Sequence, residues 1–433
     1  MLTHGWGRYP HHNAQLMQPQ TAQEAAQLLN EEAPVLGRGM GRSYGDSALA
    51  DKLISTRQLN RLHSFDVQSG LLMCAAGISL GELLEVFVPR GWFLPITPGT
   101  KFVSVGGAIA SDVHGKNHHL HGCFSQCVEN MELLLADGSQ VQCSRSERPE
   151  LFHATCGGMG LTGLIVAATL RLLRIESAYI QQTTFKAANL EEALQLFETH
   201  SASTYSVAWI DCLASGEALG RSLLMVGEHA RNGQLLLPAK RALSVPLDMP
   251  AALLNRYSVQ AFNELYYQRI RKPESKQRVS FESFFYPLDS IQQWNRLYGK
   301  QGFVQYQFVI PKAAGLQGMR AILERISASH RGSFLAVLKT FGAANDNLLS
   351  FPMEGYTLAL DFKLEAGLLE LLDELDSMVL AHGGRLYLAK DARMSEATFK
   401  QSQPNWQQFQ EIRAQYGALG KFASLQSRRL GLD

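Results

Sequence analysis

The stretch VGGAIASDVHGKNHHLHGCFSQC, residues 105–127, places His114, His118, His119 and His121 within eight residues and follows them with Cys123 and Cys127. Imidazoles and thiols this close together raise the question of a metal ion. His114 and His118 have the i, i+4 separation of two ligands on one helix face, but Gly115 and Asn117 between them weaken a helix. The two cysteines have no second matched pair, so the usual paired-ligand spacing of zinc is missing. A zinc-binding interaction module is therefore the weakest reading, and no metal ligands are assigned. His118, His119 and His121 are expected to be hydrogen-bonded packing residues.

Glycines offer a different chemistry for the same region. LGRGMGRSYGD carries Gly37, Gly39, Gly41 and Gly45 after a strand-like run. A dinucleotide turn of the G-x-G-x-x-G type would need glycine at position 42, where Arg42 stands, and no apolar helix opens after it. Glycines here instead let backbone N–H groups approach an anion, with Arg38 and Arg42 adding charge. Two more glycine elements follow, PITPGTKFVSVGGAIASDVHG and CGGMGLTG. Three in one region suit a long cofactor lying along backbone rather than among side chains.

RGMGRSYGD, PGT…VSVGGAIASDVHGKNHH and GGMGLTG together resemble the FAD-binding domain of the vanillyl-alcohol-oxidase (PCMH-type) superfamily of flavoproteins. GWGRYP, FYPLDSIQQWNRLYG, GFVQYQFVIP and GGRLYLAKDAR narrow the resemblance to the family of decaprenylphosphoryl-β-D-ribose 2′-oxidases. The resemblance implies noncovalent FAD, although wider relatives bond it through a histidine. Its contacts would be Gly37, Arg38, Gly39, Met40, Gly41, Arg42, Ser43, Tyr44, Gly45, Asp46 and Ser47, then Gly99, Ser104, Val105, Gly106 and Gly107. Ser111, Asp112, Val113, His114, Ile165 and Tyr387 complete the set, with Tyr44 over the isoalloxazine side. On the substrate side it implies Lys116, Trp209, Gln305, Gln307, Lys339 and Lys390. It also implies a lipid-linked sugar phosphate as substrate and an NAD(P)H-dependent short-chain reductase acting on the keto product, in arabinose formation for the cell envelope. Mycobacterial relatives carry NxCxDF on one strand; here TLALDF puts Thr357 and Ala359 at the Asn and Cys positions, so that wall lacks a thiol.

The residue types fit this reaction. Oxidising a secondary alcohol removes a hydride from carbon and a proton from oxygen; the flavin supplies the first and the protein a proton acceptor. Lys390 and His114 are the candidates, with Tyr44 beside them. A lysine desolvated near the flavin can lose its proton readily. Lys116 and Lys339 suit a phosphate. Gln305 and Gln307 alternate with Tyr306, so both face one side of a strand and suit sugar hydroxyls. An aldonolactone or alditol oxidase acting on a soluble sugar is the alternative within the superfamily.

The elements that must position these residues are legible in pattern. The chain of 433 residues is long enough for two or three domains. TAQEAAQLLNEE and SLGELLEVF read as helices opened by Thr21/Glu24 and Ser79/Glu82 capping boxes. MELLLADGSQVQCS reads as a hairpin turning at Asp137-Gly138. SVAWIDC, VQYQFVIP, SFLAVLKTFG and YTLALDF alternate as sheet strands, and NLEEALQLFETH and GLLELLDELDSMVLAHGG read as helices. The fold class is α+β: a FAD-binding domain over residues 1–177, a substrate domain with an antiparallel sheet covered by helices over 178–384, and a segment over 385–433 that returns to the first domain. Residues 244–280 read either as a helix plus solvated loop or as a basic amphipathic flap for a membrane surface. A formal net charge of +1 gives no global field for nucleic acid. Six cysteines are too few for a disulfide framework in a chain of this length. With neither signal-peptide pattern nor long apolar run, the expected location is cytoplasmic or peripheral at an inner membrane.

Overall fold

The computed structural model describes residues 1–231, 233–238, 243–250 and 253–433. It is an α+β fold built on two main sheets. In the N-terminal part, five antiparallel strands run in the order Gln140–Ser144, Val128–Leu134, Leu164–Arg171, Leu71–Ala75, Leu62–Asp66. A parallel trio, Gln15–Met17, Lys52–Ser55 and Leu36–Arg38, stands beside them. The helix Leu80–Phe87 opens with the reciprocal Ser79/Glu82 capping box, which satisfies two otherwise orphaned N–H groups. Its Leu83, Leu84 and Phe87 share a core with Leu72, Cys74, Met131 and Leu133.

The second sheet is antiparallel, with eight strands in the order Glu274–Ser280, Tyr179–Ala187, Ser222–His229, Tyr205–Ile210, Ala336–Phe341, Gly355–Lys363, Phe303–Pro311, Arg385–Leu386. Period-two alternation gives it two unlike faces. Tyr306, Phe308 and Ile310, with Leu358 and Leu360, join Met319, Ile322, Leu375 and Val379 of the covering helices Gly315–Ala328 and Leu368–Ala381 in one core. The opposite face carries Trp209, Lys339, Thr357, Ala359, Asp361, Gln305 and Gln307, because Trp209 pairs with Val337, Lys339 with Thr357, Ala359 with Gln307 and Asp361 with Gln305.

The last helices, Glu396–Ser402, Trp406–Gln415 and Leu425–Arg429, fold back on the N-terminal part. Val35 N–H donates to Lys421 O and Leu425 N–H to Leu49 O, both at 2.8 Å. Arg413 is fully buried and donates to the carbonyls of Leu161 (3.0 Å) and Phe422 (2.8 Å). Arg429 bridges Asp46 (2.7 Å) and Asp391 (2.8 Å).

Two local readings change. Residues 105–110, expected as an open glycine loop, form a helix capped by Ser104; Gly106 lets it sit against Ala76, whose Cβ would lie 3.1 Å from an added Cβ. The solvated-loop half of residues 244–280 is instead the edge strand Glu274–Ser280, paired with Tyr179–Ala187. Its Lys276 and Arg278 charge an edge that would otherwise invite pairing with other chains. Ahead of it stands the helix Arg256–Gln268, capped by Asn255. Residues 251–252 of this segment lie outside the described residues.

Candidate active site

The residues expected to cradle the cofactor present mainly backbone. Gly39 lies so close to the head of the helix Val105–Ala110 that a Cβ there would stand 2.2 Å from Ser104 Oγ. This contact joins two of the three glycine elements. Beyond it, the N–H groups of Met40, Gly41, Arg42 and Ser43 meet no acceptor among the described residues, and Ser43 Oγ is buried without a partner. Gly99 borders open space: a Cβ there meets nothing within 4 Å. Successive free N–H donors on one glycine-rich loop fit a long anionic cofactor. The N–H groups of Val105, Gly106 and Gly107 are already bonded to Ile78 O, Ala76 O and Ser104 Oγ, so these residues offer surface rather than donors. The third glycine run packs behind the helix, with Gly157 N–H on Ile109 O and Met159 N–H on Ala110 O.

Several charged side chains of the expected cofactor set are committed to protein partners. Arg38, expected to add charge for the anion, donates to His4 O (2.8 Å) and Ala48 O (2.6 Å). Arg42 lies over the Trp6 ring at 4.2 Å. Gly45, Asp46 and Ser47 are buried, and a Cβ on Gly45 would fall 1.7 Å from Asp391 O. Gly37 ends in the strand Leu36–Arg38, and Ile165 packs beneath Gly106. Asp112, followed by buried Val113, accepts from Ser125 N–H (3.0 Å), Asn345 (2.8 Å), Asn347 (2.7 Å) and Ser350 (2.7 Å). Tyr387 donates to Ser111 O at 2.9 Å and stacks on Phe351 at 4.7 Å.

Facing the cradle, the second sheet brings together a polar cluster. The Lys390 ammonium sits 4.2 Å over the Tyr44 ring. Tyr44 is hydrogen-bonded to Gln305, and Gln305 Nε2 donates to Asp361 Oδ1. Asp361 has no solvent exposure, and its Oδ2 has no hydrogen-bond partner among the described residues. Burial raises the Asp361 carboxyl and lowers Lys390; the Asp361 charge opposes the lowering of Lys390, and Lys339 adds to it. Burial also lowers Lys116 to about 7, with help from Lys339, and Lys339 to about 8. Lys116 donates to Phe284 O and lies 4.6 Å over that ring.

His114 is buried against Phe341, Phe351 and Tyr387. Burial, then Lys339, His118 and Lys390, hold it well below its ordinary value, so it is neutral at pH 7. Gln307 Nε2 is 3.1 Å from His114 Nε2 and 3.3 Å from Thr357 Oγ1. With the amide donating, the ring proton is assigned to Nδ1, which leaves His114 a donor rather than a base. The other histidines separate: His118 Nδ1 accepts from Gly342 N–H (3.2 Å), His119 Nε2 meets Ser203 O (2.9 Å), and His121 is exposed instead of packed. Trp209 shares the sheet face, donates to Phe334 O (3.2 Å) and packs on Tyr266.

Residues 14–144 match the family model described as an FAD binding domain. Over 99% of its length the chain is 38% identical to the decaprenylphosphoryl-β-D-ribose oxidase of Mycolicibacterium smegmatis, covering 97% of that protein. The chain belongs to this oxidase family. It is an FAD-dependent oxidoreductase, and the unpartnered N–H groups and Gly99 opening are consistent with that cofactor. The match to a mitochondrial D-2-hydroxyglutarate dehydrogenase of Bos taurus is 29% identical over 42% of the chain and 36% of that protein. A protein of Neurospora crassa carrying the name of a D-arabinono-1,4-lactone oxidase is 28% identical over 36% of the chain and 29% of its own length.

Two further residues of the site, Asp361 and Tyr298, are not among those the sequence motifs point to. Asp361 was within reach: it continues the alternation Thr357, Ala359, Asp361 on a strand already singled out. Tyr298 stacks on Phe303 at 4.2 Å with its hydroxyl buried and unpartnered, and nothing in its local sequence signals that contact.

Proposed function

We propose that the chain oxidises the 2′-hydroxyl of a polyprenyl-phosphoryl-β-D-ribose to the 2′-keto sugar, the first half of epimerisation to the arabinose form. The observation that carries this reading is the cluster in which Gln305 and Asp361 of the second sheet meet Tyr44 of the expected cofactor loop and Lys390 of the returning segment. Bound FAD supplies the hydride acceptor. Lys390 takes the hydroxyl proton, since desolvation favours its neutral amine. Neutral His114, held by Gln307, orients the sugar as a donor. Lys116 and Lys339 meet the phosphate. FAD is held noncovalently, so acid precipitation is expected to release the yellow colour to the supernatant. A separate NAD(P)H-dependent short-chain reductase then reduces the ketone.

The lipid part has a surface to meet. A cavity of about 230 Å³ is lined by Leu254, Val259, Tyr298, Phe334 and Phe362 together with Arg256, His330 and Arg331. The helix beside it turns Val259, Asn263 and Tyr267 inward. Its outward row, Tyr257, Ala261 and Leu265, leaves Tyr257 71% and Leu265 74% exposed. An outward apolar row flanked by Arg256, Arg269, Arg271 and Lys272 suits an anionic membrane surface. This favours a lipid-linked substrate over the soluble lactone or alditol reading.

Anaerobic bleaching of the flavin by polyprenyl-phosphoryl ribose, compared with free sugars and lactones, tests the proposal. Bleaching by the lipid-linked sugar alone is expected. Bleaching by a lactone or alditol, with none by the lipid, would replace it.

A further inference from the structure

Asp361 is buried without exposure on the strand Gly355–Lys363, directly opposite Gln305 in register. Gln305 Nε2 reaches its Oδ1, while Oδ2 has no hydrogen-bond partner. A buried carboxylate oxygen left this way needs a compensating charge or donor. The groups facing it are the Gln305 amide from the neighbouring strand, Tyr44 from the cofactor loop, Tyr298 from the turn Trp294–Tyr298, and Lys390 from the returning segment. Lys390 in turn faces the Tyr44 ring, Asp361 and Lys339, with His114 beyond. Asp361 is therefore the buried carboxylate that acts on Lys390 amid further positive charge.

We propose that Asp361, held by Gln305, is a positioning residue: the buried counter-ion that stabilises the Lys390 ammonium formed when the substrate hydroxyl gives up its proton. The inference rests on the reading of Lys390 as the proton acceptor. In that step the substrate O–H bond breaks and an N–H bond forms on Lys390. The carbinol carbon is oxidised as its C–H electron pair leaves as hydride to the FAD that the family carries. The new positive charge on Lys390 is then opposed through the buried interior by the Asp361 charge, bonded to Gln305 rather than to the amine, which lowers the cost of the transfer.

The test uses the FAD-loaded protein and Asp361→Asn. Removing the carboxylate takes away the charge that favours the ammonium, so Lys390 holds its proton less tightly. The acid limb of the rate of anaerobic flavin reduction by polyprenyl-phosphoryl ribose is expected to move to lower pH by about one unit or more. The rate itself is expected to fall about 10-fold or more. The second readout needs no turnover: the pH dependence of Lys390 labelling by an amine-directed reagent, located by peptide mass spectrometry, shifts in the same direction. Asp361→Glu returns both limbs toward the unaltered protein.

Limbs that stay in place in an asparagine variant that retains FAD would overturn the proposal, as would limbs that move upward. If Asp361→Asn does not fold, Lys390→Met gives the reciprocal reading. Without its ammonium partner Asp361 is expected to show the infrared carbonyl band of a protonated carboxyl at pH 7, and no new band counts against the pair. A labelling shift in a protein whose flavin the lipid-linked sugar fails to bleach would retain the pair and discard the substrate.

Discussion

Truncating Lys390 to alanine leaves the Tyr44 ring and the Gln305–Asp361 contact in place and removes only the amine over the ring. The expected outcome is full retention of FAD with flavin reduction by substrate slowed about 100-fold or more; stopped-flow absorbance of the reductive half-reaction checks it, and near-unaltered reduction would take Lys390 off the catalytic list. A second residue-scale consequence comes from Ala359, which is half-buried on the same face as Gln307 and Asp361. All six cysteines are buried elsewhere. Covalent inhibitors that attack the thiol found here in mycobacterial relatives are expected to leave this protein unmodified. Ala359→Cys should create one labelled site, read by intact-mass spectrometry. Asp361 shows why residue-level chemistry was only partly legible: its face on the strand follows from period two, but the coupling to Lys390 depends on a segment that returns from elsewhere in the sequence.

Between elements, Asp112 ties the loop after the helix Val105–Ala110 to residues 345–350, with Asn345 233 residues away. Four donors converge on this buried carboxylate. Asp112→Ala strands them, and a loss of about 3 kcal/mol in unfolding free energy is expected. Urea titration of the holoprotein measures it; a change under about 0.5 kcal/mol would mean that the donors find other acceptors. Such long-range partners are what local sequence cannot display. The strands of the second sheet, the Ser79/Glu82 box and the Asp137-Gly138 hairpin were readable because alternation, capping and turn chemistry act within a few residues. The glycine pairs are ambiguous in sequence for the same reason. Gly106 and Gly107 permit either an exposed cradle or a helix packed on Ala76, and only the neighbour at Ala76 decides between them.

For the molecule as a whole, the buried histidines set a pH response. Burial lowers His118 to about 3 and His229 to about 4, and His114 is also depressed. A depressed folded value means stability that is present above the unfolded value, about 6.5, and is lost as pH falls toward the folded one. His118 and His229 are each expected to cost about 2 kcal/mol between pH 7 and pH 5. Asp376, raised to about 6 by burial, works the other way over part of that range. His118→Gln is therefore the sharper measurement: its stability loss over the interval should be about 2 kcal/mol smaller, and an equal loss would acquit His118. At the same scale, Tyr257→Glu with Leu265→Glu should abolish binding to anionic vesicles at low salt while leaving bound flavin unchanged. Among the described residues no helix is long and apolar enough to cross a membrane; vesicle cosedimentation measures the attachment. The returning C-terminal segment has a consequence for how the protein is made. Tyr44 N–H is held by Ala389 O, and Asp46 by Arg429. The loop of residues 37–47 is therefore clasped only once Arg429, 383 residues beyond Asp46, has been translated. A nascent or prematurely ended chain displays the glycine loops without their clasp. Chains cut before Ala389 are expected to lose bound flavin, which the visible absorbance of the purified truncated product measures.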